Sequence, residues 1–365
     1  MNLQLNDVQQ QLQDSLARLL AREYDFGHRQ QYVAAECGHS PEVWAQLAEL
    51  GVTAAAIPDV HGGFGGDAVD HMVVSEALGK CLSLEPYHGT VVMAATAIGL
   101  VGSDSQQARL LPRIGHGDLN VAWAHGEAVA GRVNVCAGHG VDGWRLYGAK
   151  SCVLHGAAGE YLLVTAQVAG EGVQLFVVDA RTQGVEFDAY RLIDGTPAAD
   201  VKLDGAPAER LGTLTPALLQ RMLDTGISAA CAEMVGAMDA AYTLTVAYLK
   251  TRKQFGRLIG SNQALQHRAV DMLVALEQSR SMSVSLALAL AGRNDLTGTD
   301  VPSHGAKALV TRNARHVAQE AIQMHGGIGM TEEYAVGHYL RRILVLDHLH
   351  GDMQYHLGRL EGRPE

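Results

Sequence analysis

Apolar residues at Val8, Leu12, Leu16, Leu19 and Leu20 recur with the 3.6-residue period of an amphipathic helix, and Asn6 or Asp7 stands ready to cap it. The next periodic run, Val43, Trp44, Leu47 and Leu50, is preceded by Ser40-Pro41-Glu42 and followed by Gly51. That order combines an N-cap, a proline at the first helical position and a glycine stop. Asp67 and Ser103 are further caps. Between them, Ile57-Pro58 and Gly62-Gly63-Phe64-Gly65-Gly66 predict loop, because neither helix nor strand tolerates that density of glycine. From about Leu119 to Leu211 the pattern changes to short β-rich runs between Gly and Asp turns. They are Val133-Asn134-Val135, Trp144-Arg145-Leu146, and residues 161–165, 173–178 and 201–203. After Thr215-Pro216 the helical period returns over residues 217–250, 262–291 and 302–324, with two shorter segments reaching Leu360. The pattern predicts a mainly α chain with a central β domain: an all-α domain at 1–118, a β domain at 119–212 and a helical bundle at 213–365.

Composition narrows the function classes. Lys plus Arg number 28 against 39 Asp plus Glu, a net charge of −11, and no basic run could follow a phosphate backbone, so nucleic acid is not an expected partner. No apolar run reaches the roughly 20 residues of a membrane-spanning helix. The first residues lack the basic-then-apolar order of a signal peptide, which predicts a cytoplasmic protein. The cysteines (Cys37, Cys81, Cys136, Cys152 and Cys231) show no CxxC spacing, and the histidines no HExxH pair, so reduced thiols and no metal site are expected.

Three segments carry candidate chemistry. His325-Gly326-Gly327-Ile328-Gly329 follows a helix, not a strand, so it is not the dinucleotide fingerprint; it reads as a helix–helix corner or as a ligand loop. Arg252-Lys253-Gln254-Phe255-Gly256 closes a long helix. It offers either a guanidinium for a phosphate beside an aromatic face, or helix-end charge compensation with a glycine stop. Glu233 has Ala229, Ala230, Gly236 and Ala237 three and four residues away, so no local base pairs with it. It is either buried with a distant partner or lines a cavity, where burial would raise its pKa towards that of a general base.

Together these segments resemble the acyl-CoA dehydrogenase family over essentially the whole chain. The most specific are residues 248–256 (YLKTRKQFG), 261–272 (SNQALQHRAVDM) and 323–334 (QMHGGIGMTEEY), with weaker support from 57–66 and 199–212. The resemblance implies an N-terminal helical domain, a β-barrel-like middle domain and a C-terminal four-helix bundle, assembled as a tetramer with FAD. It further implies that Arg252, Phe255, Gln323, Gly326 and Gly327 reach the adenine and pyrophosphate part of a neighbouring subunit's FAD. An acyl-CoA substrate and an electron-transferring flavoprotein as acceptor follow from the same resemblance.

The chain also departs from the family. His350 stands where the catalytic Glu is usual, and Gly226 where some members place it instead, with Asp352 two residues beyond the first position. Glu233 lies two helical turns past Gly226, on roughly the same face, and is the replacement base. In the stretches that contact the flavin, Gly126 stands for a usual Thr, and Cys152 and Leu154 for Trp and Thr. Three readings follow: a dehydrogenase forming the 2,3-enoyl-CoA, as a homo- or hetero-tetramer; a non-catalytic subunit completing a partner's cofactor site; and, suggested by His350, a flavin-dependent monooxygenase of the same fold.

Overall fold

The computed structural model describes residues 5–128, 132–292 and 302–362. The helical opening comprises α1 (Asp7–Glu23), α2 (Phe26–Ala34), α3 (Pro41–Glu49), α4 (Ala68–Cys81), a π-helical stretch (His88–Ala95) that continues as α5 (Thr96–Val101), and α6 (Asp104–Gly115). Asn6, rather than Asp7, caps α1: its side chain accepts from the Gln9 N–H while the Gln9 side chain accepts from its own N–H. Asp67 and Ser103 form the same reciprocal box on α4 and α6. The π-helical stretch is buried almost all round, which leaves no polar face to mark a period.

The middle segment holds β1 (Val121–Ala124), β2 (Cys136–Gly140), β3 (Gly143–Leu154), β4 (Tyr161–Val168), β5 (Gly172–Asp179), β6 (Val185–Arg191) and β7 (Pro197–Arg210). Pairing runs β1-β4-β2-β3-β7-β5, and β5 returns to β4, so the sheet closes into a barrel in which β1 and β2 share one edge of β4 and β5 and β6 share one edge of β7. The strand expected at Val133-Asn134-Val135 is not there; pairing begins at Cys136. The N–H groups of Asn134 and Val135 donate instead to the Glu127 carboxylate, which takes them out of any ladder. In β3 the register slips between Lys150 and Val153, where Cys152 takes a left-handed φ of 53°.

The last segment is α7 (Pro216–Thr251), a hairpin of β8 (Lys253–Gln254) and β9 (Arg257–Leu258), α8 (Gln263–Ala291), α9 (Ser303–His325), α10 (Val336–His348) and α11 (Met353–Leu360). The α, then β, then α order expected from the periodicity is the order observed. Helices α4 and α7 cross at backbone contact: a Cβ on Gly79 would lie 2.1 Å from the Glu233 carbonyl oxygen, and one on Gly236 2.0 Å from that of Glu76. The small residues around Glu233 therefore serve helix packing. Among the described residues, no helix is long and apolar enough to cross a membrane.

Candidate functional site

Glu233 projects from α7 into a buried ionic cluster shared by all three parts of the chain. Its Oε1 accepts from Arg342 Nε of α10 at 2.6 Å, and Arg342 Nη1 donates to Asp194 Oδ2 at 2.8 Å and to Thr196 Oγ1 at 2.9 Å. Arg29 of α2 donates to the backbone carbonyls of Leu82 and Asp194. Burial disfavours the Arg342 cation, but the Glu233 and Asp194 carboxylates more than offset it and raise its pKa above the ordinary arginine value. Of the two roles open to Glu233, the geometry supports burial with a distant partner. To accept a substrate proton the carboxylate would have to give up Arg342, so the geometry favours the structural role over that of base.

His350 sits in the turn after α10 with a left-handed φ of 60°. Its Nε2 is 2.8 Å from Nε2 of His88. A Cβ on Gly226 would lie 2.5 Å from His350 Nε2 and 2.6 Å from Met93 Sδ. Positions 226 and 350, the two to which the resemblance assigns a carboxylate, thus meet in space, and an imidazole occupies that space. Lys307 Nζ donates to the carbonyls of Leu346 and Leu349 and so fixes the turn that carries His350. Burial, then nearby Arg342 and Lys307, push His88 down to about 3; burial and His88 push His350 well below the ordinary histidine value. Both rings are neutral at physiological pH, one donating and the other accepting. Asp352 accepts from Tyr355 N–H at 2.8 Å and caps α11, which commits it to the helix end.

On the middle-domain side, Trp123 stacks on His125 with centroids 5.8 Å apart, and buried Trp123 Nε1 has no partner among the described residues. Lys150, wholly buried, reaches Glu127 Oε1 at 2.5 Å, Thr165 Oγ1 at 3.1 Å and the His125 carbonyl at 3.3 Å. Burial lowers Lys150 to about 8 against the opposing pull of Glu127. This ion pair, which holds the 123–127 stretch in place, escaped the sequence reading. Its trace was the alternation Leu146, Gly148, Lys150, which puts the lysine on the inward face of β3.

The far end of the bundle is built differently. Tyr248 near the end of α7 stacks on His325 at the end of α9 with centroids 4.5 Å apart, which brings the two sequence motifs together. Phe255, with φ 49°, stands fully exposed on the turn of the β8–β9 hairpin, and Arg252 and Gln323 are also exposed. A Cβ on Gly326 or Gly327 would meet nothing within 4 Å, so the backbone there is open to a close approach. An exposed guanidinium, an uncovered aromatic face and an open glycine backbone suit a pyrophosphate and an adenine, the ADP half of an FAD. At the stretches the resemblance assigns to the flavin the fit is poorer, since Gly126 has no side-chain donor and Leu154 presents only carbon.

Family models match both ends of the chain: the acyl-CoA dehydrogenase N-terminal domain over residues 6–118 and the acyl-CoA dehydrogenase C-terminal domain over residues 217–363. The chain belongs to the acyl-CoA dehydrogenase family. It is 29% identical to acyl-CoA dehydrogenase FadE27 of Mycobacterium tuberculosis over 86% of this chain and 85% of that one. It is 28% identical to the mitochondrial isobutyryl-CoA dehydrogenase of Bos taurus over 84% and 77%. Among solved structures, the Tcur3481-Tcur3483 steroid ACAD superposes with a TM-score of 0.89 at 27% identity, covering 98% of this chain and 97% of that one. The protein is accordingly an FAD-dependent oxidoreductase of acyl-CoA thioesters.

The neutral histidines of this dehydrogenase predict acid lability. His71 and His125 are pushed down to about 4 and His88, His155 and His356 to about 3, all chiefly by burial, against 6.5 ordinarily. Unfolding lets them bind protons, so the stability they contribute is present above pH 6.5 and is lost as pH falls towards 3. Glu85, raised to about 8, acts oppositely between 4.5 and 8, but is a single group against these five. Melting temperature should therefore fall steadily below pH 6.5 in scanning calorimetry; a flat profile from pH 7 to 5 would contradict this assignment.

Proposed function

We propose that this chain is one subunit of a hetero-oligomeric acyl-CoA dehydrogenase that forms a 2,3-enoyl-CoA, and that its bundle end completes the FAD site of a neighbouring subunit. The observation that carries this reading is a contrast within one chain. The surface set Arg252, Phe255, Gln323, Gly326 and Gly327 is intact and uncovered, whereas both carboxylate positions, 226 and 350, hold a glycine and a neutral imidazole. FAD, when bound, supplies the hydride acceptor for the Cβ–H bond. Removal of the Cα proton needs a base, and this chain's own cleft presents the His88–His350 pair there, so the carboxylate comes from the partner. The Tcur3481-Tcur3483 steroid ACAD, whose name carries two components, supports a two-chain assembly. The ending at residues 349–357 (LHGDMQYHL) resembles the small subunit of pimeloyl-CoA dehydrogenase, which supports the subunit role more than any choice of acyl group. An electron-transferring flavoprotein as acceptor and a cytoplasmic setting belong to the same proposal.

Anaerobic mixing with an acyl-CoA panel tests it. Flavin bleaching is expected when this chain is co-expressed with a dehydrogenase-like partner and not when it is purified alone. Equal bleaching by the chain alone would overturn the proposal and restore a self-sufficient enzyme.

A further inference from the structure

His88, the partner of His350, also lines a small cavity between the N-terminal helices and the barrel, together with Glu85, Leu154, His155, Thr196 and Arg342. Two polar atoms of its wall residues have no partner among the described residues: Glu85 Oε2 and His155 Nδ1. Each residue is only 7% exposed. Glu85 cannot readily turn away, because its Oε1 accepts from the Tyr24 hydroxyl at 3.1 Å and the Ser40 N–H at 3.2 Å. His155 is held by a left-handed φ of 54° with its ring edge-on to His39, centroids 5.8 Å apart. An orphaned buried polar atom is unfavourable, and two on one cavity mark a place where a ligand atom belongs.

The charge balance says which kind of atom. Arg342 is committed to Glu233, Asp194 and Thr196, and with Arg29 the cluster holds two cations against two carboxylates. Burial pushes the Glu85 carboxyl up to about 8 and His155 down to about 3, so at neutral pH one is an uncharged acid with an O–H to donate and the other an uncharged imidazole. A carboxylate entering here would lack a counter-charge. A methylene would leave both atoms unpaired. A hydroxyl accepts from Glu85 and donates to His155; a ketone accepts from Glu85.

We propose that this cavity is the subsite for a neutral oxygen substituent, a hydroxyl or ketone, on the part of the acyl group remote from the thioester, with Glu85 as its donor and His155 as its second partner. The inference rests on the acyl-CoA reading above. It concerns binding in this chain's own cleft, whether or not that cleft turns over.

Isothermal titration of the co-expressed complex with three matched series from four to ten carbons, plain, ω-hydroxy and ω-carboxy acyl-CoAs, tests it. The best-fitting ω-hydroxy compound should bind about tenfold or more tighter than its plain and carboxylate counterparts. Glu85→Leu in this chain should abolish the preference, and Glu85→Gln, which still donates and accepts, should retain it. Equal affinities across the series, or a preference unmoved by Glu85→Leu in a folded complex, would overturn the subsite alone. Absence of binding in all three series would overturn the acyl-CoA reading and the subsite with it.

Discussion

Replacing Glu233 with alanine should destabilise the protein by about 3–5 kcal/mol, because it strands a buried guanidinium that the carboxylate holds at 2.6 Å. The loss is structural, so it should appear in urea or thermal unfolding of preparations that never meet substrate. The double variant Glu233→Met with Arg342→Met removes the stranded guanidinium but takes the 2.8 Å ion pair from the buried Asp194 carboxylate, so it should recover only part of the loss seen in Glu233→Ala. Glu233→Ala with unchanged unfolding but abolished flavin reduction would return Glu233 to the role of base. The cluster draws on α2, the β6–β7 turn, α7 and α10, so its loss should also loosen the seat of the barrel against the helices.

Changing Arg252 and Phe255 together to alanine should strip FAD from the co-expressed complex, with an affinity loss of about 3 kcal/mol or more, roughly a hundredfold, from one charge-assisted phosphate contact and one aromatic wall. Both side chains are exposed and Phe255 touches nothing of its own protomer that would shield it, so unfolding temperature of the free chain should hardly move. Loss of cofactor with an unaltered fold would distinguish a ligand contact from helix-end compensation. Retention of full FAD would assign Arg252 the bland role of neutralising the end of α7.

The helices and their caps were legible in the sequence because the determinants are local: Asn6, Ser40, Asp67 and Ser103 each act on a backbone N–H two or three residues away. The segments proposed to take the ADP half of FAD stood out for the same reason, being short and placed at helix ends. What escaped depends on distance along the chain. The partner of Glu233 lies 109 residues on, that of His350 262 residues back, and neither carries a spacing signal. One clue was available for the first: Arg342 interrupts the inward stripe Tyr339, Ile343 and Leu346 of α10, and a cation on such a stripe needs a buried anion. The strand expected at Val133-Asn134-Val135 failed because β propensity does not see a Glu127 carboxylate competing for the same N–H groups.

The ratio of FAD to polypeptide, read from the visible spectrum of the purified protein alongside its mass in solution, tests the two-chain account most directly. One FAD for every two chains in the co-expressed complex, and little or none on this chain alone, is the result the account predicts. A homotetramer of this chain carrying one FAD per protomer, and bleached by an acyl-CoA, would contradict it.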